Sequence, residues 1–135
     1  MLIQSEFVDI GTPTGDMRTY VHRPLEASQY PTILFYSEIF QQTGPIERAA
    51  KIMASHGYVV LVPEVFHELN PIGTVLNYDD AGREKGNADK AAKDVEGYDS
   101  DNQAMIDWVK KNLGRMVILV PWGFVLVATL PSGLH

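Results

Sequence analysis

The chain has 135 residues, of which 45% are hydrophobic and 21% are charged, and its formal net charge is −6. This length predicts one domain with a hydrophobic core of its own. An acidic chain of this kind is not expected to bind nucleic acid or an anionic membrane surface. The sequence contains no cysteine, which excludes disulfides, thiolate metal sites and a thiol nucleophile in these residues.

The N-terminus carries no export pattern. Residues 1–7, M-L-I-Q-S-E-F, lack a basic region followed by an apolar stretch, which argues against a signal peptide. We therefore expect a cytoplasmic protein. The sequence contains no internal repeat and no low-complexity linker.

Two alternating stretches open the chain. Gln4 to Ile10 alternates weakly between apolar and polar residues, and Met17 to Arg23 alternates again. Between them lies G-T-P-T-G-D, which is dense in turn-forming residues. This pattern predicts an antiparallel hairpin at one edge of a sheet.

A continuous apolar run after Pro31 predicts a central strand, Thr32–Tyr36, that is buried on both faces. Gly44-Pro45 then opens a helix that ends at His56-Gly57, because proline is tolerated in a first helical turn and glycine terminates helices. Tyr58–Val62 is the next predicted strand. Two buried strands joined by a helix predict a right-handed unit with parallel strands.

The end of the central strand is the first place to look for chemistry. Ser37 and Glu38 follow the apolar run directly. In parallel sheets, ligands bind beyond the carboxyl ends of the strands. Glu38 is therefore the first candidate for a catalytic residue.

The second half of the chain is less regular. Glu64 to Tyr98 predicts a long excursion above the sheet, with one short helix near Ala88–Val95, and long loops are often functional. Asp99 to Asn112 predicts a helix that Asp99 or Ser100 caps. Met116 to Val120 is the candidate for a third parallel strand.

Several of these stretches together resemble the dienelactone hydrolase family of α/β-hydrolases. They are P-T-I-L-F-Y-S-E-I-F, then G-P-I-E-R-A-A-K-I-M-A-S-H-G-Y-V-V-L-V-P, the segment from Pro71 to Asn87, and Y-D-S-D with the helix after it. The resemblance covers roughly residues 1 to 114. It implies an incomplete α/β-hydrolase fold, with a mostly parallel sheet, an N-terminal antiparallel hairpin and flanking helices.

The resemblance also implies a function. The family hydrolyses esters or lactones with a Cys-His-Asp triad through a covalent acyl-enzyme, and it uses no cofactor. Glu38 matches the family's glutamate that switches the cysteine to a thiolate, and the Ile39 amide looks like an oxyanion donor. Arg83 is a candidate for holding a substrate carboxylate. A solvated arginine on a loop is the simpler interpretation of Arg83.

The chain departs from the family after Arg115, where no G-x-C-x-G or G-x-S-x-G motif follows. Residues 117–135 read V-I-L-V-P-W-G-F-V-L-V-A-T-L-P-S-G-L-H. The family-like peptide G-N-I-G-A-M-G-F-C-I-G-G-H-L-A-F-R-A-A has a coding sequence that yields this whole tail when one base is dropped. We interpret the tail as a shifted reading frame. The prediction is a partial dienelactone hydrolase-like domain at 1–115 and an apolar tail at 116–135.

Other interpretations compete with these. Glu64, His67 and Glu68 have the spacing of metal ligands on a helix, but Pro63 and Pro71 leave little room for one, so no metal is expected. Histidine is a common catalytic base, and His22, His56 and His67 are the candidates considered. His22 and His56 are expected at the surface.

Three broader alternatives follow from the tail. The uncharged stretch from Met116 to Leu134 is nearly long enough for a membrane anchor, although its prolines and glycines argue against one. A sheet that stops early has an uncovered edge, so self-association is possible. In function, the alternative to a hydrolase is a catalytically inactive truncated fragment that acts at most in binding.

Overall fold

A computed structural model describes residues 1–26, 30–36, 43–113, 115–119 and 124–129. The described elements are six strands and three helices: β1 (Ile3–Thr12), β2 (Gly15–Pro24), β3 (Thr32–Phe35), α1 (Gly44–Ser55), β4 (Val59–Pro63), α2 (Asp80–Ala92), α3 (Val95–Leu113), β5 (Arg115–Leu119) and β6 (Phe124–Thr129). The strands form one sheet in the order β1-β2-β4-β3-β6-β5. The predicted α/β class is confirmed.

The N-terminal hairpin is also confirmed. β1 and β2 pair antiparallel from Ile3 opposite Pro24 to Thr12 opposite Gly15. Gly15 has a φ of 125°, a conformation that glycine adopts readily, and it starts the second strand after the turn. Cross-strand ion pairs join Arg18 to Asp9 at 3.0 Å on the exposed side of the hairpin.

The central β3-α1-β4 unit has the predicted parallel arrangement. Thr32 lies opposite Val59 and Leu34 opposite Leu61. The helix begins with Gly44-Pro45, and Gly57 follows it with a φ of 94°. The chain can therefore reverse after the helix and enter β4.

The sheet has a hydrophobic layer on each face. On one face, Met105 and Val109 of α3 pack with Leu34 and Leu61. On the other, Ala50 and Ala54 of α1 pack with Val60 and Val62. Successive β4 side chains alternate between these layers, which explains why the strand reads as a continuous apolar run.

The prediction for the region 64–98 was wrong in its helices. α2 is longer and earlier than the predicted helix near Ala88–Val95, because Asp79 caps it by accepting a hydrogen bond from the Gly82 N–H at 2.7 Å. Gly82 also allows a close approach, since a Cβ there would lie 1.9 Å from the Asn77 carbonyl oxygen.

α3 begins four residues before its predicted start. The Gly97 N–H donates to Asp94 Oδ1 at 2.7 Å, which makes Asp94 the capping residue. Asp99 and Ser100 lie inside the helix, and the Ser100 hydroxyl donates to the Glu96 carbonyl at 2.8 Å. Ser100 therefore bonds back along its own helix instead of capping it.

The described sheet is mixed, not mostly parallel. β3 and β4 form its parallel pair, and the other described pairs are antiparallel. β5 runs in the same direction as β3, but β6 lies between them and pairs antiparallel with both. The predicted third parallel strand therefore exists in direction but is not the neighbour of β3. No helix within the described ranges is both long and apolar enough to cross a membrane.

Candidate functional site

The two residues predicted to act in catalysis, Glu38 and Ile39, lie outside the described residues. The structure does describe what flanks them. Tyr36 follows β3 directly, and its hydroxyl donates to Asn102 Oδ1 of α3. Burial raises the pKa of the Tyr36 phenol, and the negative charges of Asp101 and Asp99 raise it further. The phenol is therefore a neutral hydrogen-bond donor that ties the end of β3 to α3.

A second tyrosine anchors the start of α1. The Tyr78 hydroxyl donates to Thr43 Oγ1 at 2.8 Å, and Thr43 is only 4% exposed. Thr43 is the residue before α1, and its carbonyl accepts from the Glu47 N–H at 2.9 Å. The excursion after β4 thus reaches back to the carboxyl edge of the sheet, where the predicted site lies.

Glu64 follows β4 directly and is 2% exposed. Its carboxylate accepts from the Tyr20 hydroxyl at 2.8 Å and from the Gly73 N–H at 3.0 Å. Burial and then the hydrogen bond to Glu64 raise the pKa of Tyr20 to about 12. Gly73 has a φ of 84°, which suits the tight path of the loop. The Glu64 carboxylate is therefore committed to closing this loop.

His67 and Glu68 come together with a residue that the sequence did not indicate. His67 Nε2 lies 3.0 Å from Asp101 Oδ1 and 3.3 Å from Glu68 Oε2. The side chains of His67 and Asp101 are each 1% exposed. We call His67, Glu68, Asp101 and Lys93 the buried charge cluster.

Lys93 neutralises part of this cluster. Its ammonium donates to Asp101 Oδ2 and to the Val65 carbonyl, and it lies 3.1 Å from Glu68 Oε1. It also lies 5.0 Å from the centre of the Tyr98 ring. Oxygen acceptors and an aromatic face are favourable surroundings for a buried ammonium.

The predicted metal-ligand trio is only partly assembled. Glu64 points to Tyr20 and Gly73 because residues after Pro63 form turns in place of a helix. His67, Glu68 and Asp101 instead present one ligand atom each, and these atoms lie within 4.8 Å of one another. Among the described residues, this is the group whose chemistry suits a metal ion.

The remaining predicted residues lie apart from this cluster. Arg83 lies in the first turn of α2, where its guanidinium pairs with Asp80 at 3.1 Å and its side chain is 61% exposed. His56 is exposed, as expected. The surface prediction for His22 was wrong: the residue is 2% exposed, and its Nδ1 lies 2.7 Å from Ser5 Oγ. β2 lies between β1 and β4, which leaves little of it open to solvent.

Comparison with known proteins identifies the family. The model of the dienelactone hydrolase family matches residues 17–121, and the chain belongs to this family. It is 41% identical over 113 residues to the Saccharomyces cerevisiae protein named "Putative carboxymethylenebutenolidase". That match covers 79% of this chain and 41% of the yeast protein, so the chain spans about two-fifths of that relative's length.

Solved structures confirm the α/β-hydrolase type of fold. The crystal structure of "Putative Dienelactone Hydrolase" from Klebsiella pneumoniae has a TM-score of 0.59 at 16% identity, over 84% of this chain and 46% of that one. A structure named m3DLH has a TM-score of 0.58 at 14% identity, over 83% of this chain and 43% of that one. At such identities the likeness concerns the fold.

Proposed function

We propose that this chain carries part of a hydrolase that cleaves a small ester or lactone through a covalent acyl-enzyme. The observation that carries the proposal is the family match over residues 17–121. The 41% identity to the yeast protein supports it, since that protein's name refers to a butenolide, which is a lactone. A small-molecule substrate also agrees with the acidic composition, which does not favour nucleic acid.

Three residues receive roles in this proposal by resemblance to the family. Glu38 would switch the nucleophile to its charged form, and the Ile39 amide would donate to the oxyanion of the tetrahedral intermediate. Arg83 would bind a substrate carboxylate by leaving its partner Asp80, since an exposed ion pair of this kind contributes at most about 1 kcal/mol.

The family's nucleophile is a cysteine, and none of the 135 residues is one. We account for this by a change of reading frame near Arg115, which separates a hydrolase-like domain at 1–115 from the apolar tail at 116–135. In this account, one base restores the family motif G-F-C-I-G-G-H. The first test is the transcript sequence across the codons for Asn112 to His135. An intact message in the present frame would contradict the account.

Activity is then measured with p-nitrophenyl acetate for the 135-residue chain and for the frame-restored protein. Hydrolysis is expected from the frame-restored protein alone. Glu38→Gln should lower its kcat/KM by at least about 10-fold, since acid–base groups contribute roughly 10²- to 10⁴-fold. Glu47→Gln is the matched control, because Glu47 pairs with Lys51 on the outside of α1. A frame-restored protein that is folded and inactive would sink the proposal.

A second candidate function is binding without catalysis. The absence of cysteine favours it for the 135 residues as they stand. The substance bound would be a small acid or another copy of the chain, which would pair along an exposed sheet edge. Turnover by the 135-residue chain itself would exclude this candidate. We further propose a cytoplasmic location, which cell fractionation tests directly.

A further inference from the structure

The buried charge cluster offers more ligand atoms than the lysine alone requires. Asp101 and Glu68 each direct one carboxylate oxygen at Lys93 and the other at His67. We propose that His67 Nε2, Glu68 Oε2 and Asp101 Oδ1 bind one divalent transition metal ion of the zinc type. This site is independent of the proposed hydrolase chemistry, because it uses none of the residues assigned to that reaction.

The separations of the ligand atoms match those around a tetrahedral ion. With zinc–ligand bonds of about 2.1 Å, neighbouring ligand atoms lie roughly 3.4 Å apart. The imidazole Nε2 lies 3.0 Å from Asp101 Oδ1 and 3.3 Å from Glu68 Oε2. Small side-chain movements are therefore enough to place an ion between them. One imidazole nitrogen with two carboxylate oxygens suits zinc, cobalt or manganese better than calcium.

Charge favours a cation at this position. Two carboxylates face one ammonium, so the cluster carries one excess negative charge when His67 is neutral. Lys93 does not block the ion, because it contacts the oxygens on the opposite side of each carboxylate, Asp101 Oδ2 and Glu68 Oε1. It would act as an outer partner that holds the ligands in orientation, as such partners do around known metal ions.

The histidine is engaged only through the nitrogen that faces the carboxylates. Its side chain is 1% exposed, and Nδ1 has no hydrogen-bond partner in the part of the chain that the structure describes. A buried imidazole nitrogen without a partner is unfavourable by about 1–3 kcal/mol. Strong binding at Nε2 would offset this cost, which a single shared hydrogen bond does less well.

The position also has access to solvent for a fourth ligand. A cavity of about 170 Å³ is lined by Glu68, Lys93 and Thr14, among others. The Thr14 hydroxyl donates to Glu68 Oε2 at 3.0 Å and so orients that carboxylate. Three protein ligands with an open fourth position are the usual arrangement when zinc retains a water molecule.

The test is metal titration of the full 135-residue chain after dialysis against a chelator. Zn²⁺ binding is measured by competition with a chromogenic chelator, and Co²⁺ binding by its visible absorption. We expect one ion per chain. Since the chain has no cysteine, thiolate ligands cannot produce the signal.

Variants decide which residues bind the ion. His67→Gln and Glu68→Gln should each weaken binding at least about 10-fold, the lower range for losing a metal-site partner. His56→Gln is the matched control, because His56 is exposed and outside the cluster. Circular dichroism verifies that each variant is folded, and Glu68, which is 18% exposed, is the more tolerant position.

Two results would overturn the proposal. One is a folded chain that binds no Zn²⁺ and no Co²⁺, which would leave the cluster as an ion-pair network without a metal. The other is binding that persists unchanged in both His67→Gln and Glu68→Gln, which would place the ion elsewhere. Neither result depends on ester hydrolysis, so this proposal and the proposed function fail separately.

Discussion

The ammonium of Lys93 is paired with the carboxylate of Asp101 inside the protein, and each side chain is only 1% exposed. Lys93 is the residue directly after α2, and Asp101 lies in the second turn of α3. The same ammonium donates to the Val65 carbonyl just after β4. One buried ion pair thus joins both helices of the excursion to the carboxyl edge of the sheet.

Asp101→Ala should be among the most destabilising single changes in the chain. It leaves the Lys93 ammonium buried with less compensation, and breaking a buried pair in this way costs about 3–5 kcal/mol. The measurement is the free energy of unfolding in urea. Asp107→Ala is the control, because Asp107 is exposed and accepts only from Gln103 at 2.8 Å. Equal effects of the two changes would contradict the assigned role of the pair.

Replacing the pair as a unit should be milder than breaking it. The double change Lys93→Met with Asp101→Leu removes both charges together, and apolar replacements of buried pairs are often neutral or stabilising. We expect the double variant to be more stable than Asp101→Ala. A double variant that is less stable than Asp101→Ala would show that the pair's hydrogen bonds, to Val65 for example, matter more than its charge balance.

Alkaline pH should destabilise the fold through two tyrosines. The pKa of Tyr20 is raised from 10.0 to about 12, first by burial and then by Glu64, and burial raises the pKa of Tyr36 as well. Above pH 10 the unfolded chain loses these protons while the folded chain retains them, so the free energy of unfolding falls. The loss should begin near pH 10 and continue to about pH 12.

Urea unfolding at several pH values measures this loss, and the Tyr20→Phe variant isolates one contribution. Its stability should fall less steeply between pH 10 and 12 than that of the parent chain. Tyr30→Phe is the control, since the Tyr30 hydroxyl donates to the Glu26 carbonyl on the exposed side. An unchanged slope in Tyr20→Phe would mean that the phenol ionises equally in both states.

Glu64→Gln should loosen the loop that follows β4. The amide retains one acceptor oxygen, but the charge that accepts from Tyr20 and Gly73 is lost. Hydrogen bonds to charged groups contribute about 1.5–3 kcal/mol, which sets the expected decrease in unfolding free energy. The Tyr20 phenol should also titrate at lower pH in ultraviolet spectra, since Glu64 raises its pKa. A Tyr20 titration that does not move would refute the coupling.

Gly82→Ala should destabilise the start of α2. The added Cβ would lie 1.9 Å from the Asn77 carbonyl oxygen, so the backbone must shift. Overpacking of this kind costs about 1–3 kcal/mol, although alanine is otherwise the better helix former. Gly11→Ala is the control, because the nearest atom to its added Cβ is a side-chain oxygen at 3.9 Å. Thermal unfolding compares the two, and a more stable Gly82→Ala would contradict the close approach.

Local patterns were enough for much of the fold. The alternation in Gln4–Ile10 and Met17–Arg23 correctly predicted the hairpin, and the apolar runs correctly predicted β3 and β4. Both signals depend on neighbouring residues, because a strand's burial repeats along the strand itself. The family was also evident from motifs within short stretches, and the match over residues 17–121 confirmed it.

Contacts between distant residues were beyond those patterns. His67 meets Asp101 from 34 positions away, and no spacing rule connects a turn after β4 to the face of α3. Asp94 was missed as a cap because Asp99 and Ser100 offer the same chemistry five and six residues later, and tertiary packing chose the earlier start. The position of β6 beside β3 likewise depends on pairing between strands that are distant in the chain.

The amino-acid sequence by itself determined the family, the hairpin and the central parallel unit, since each depends on order and periodicity within one segment. Only the tertiary structure decided that Glu64 closes a loop while His67, Glu68 and Asp101 assemble around Lys93. The physical reason is that side-chain chemistry indicates what a residue can bind. Which partner lies within 3 Å is settled by the packing of the helices and loops on the sheet.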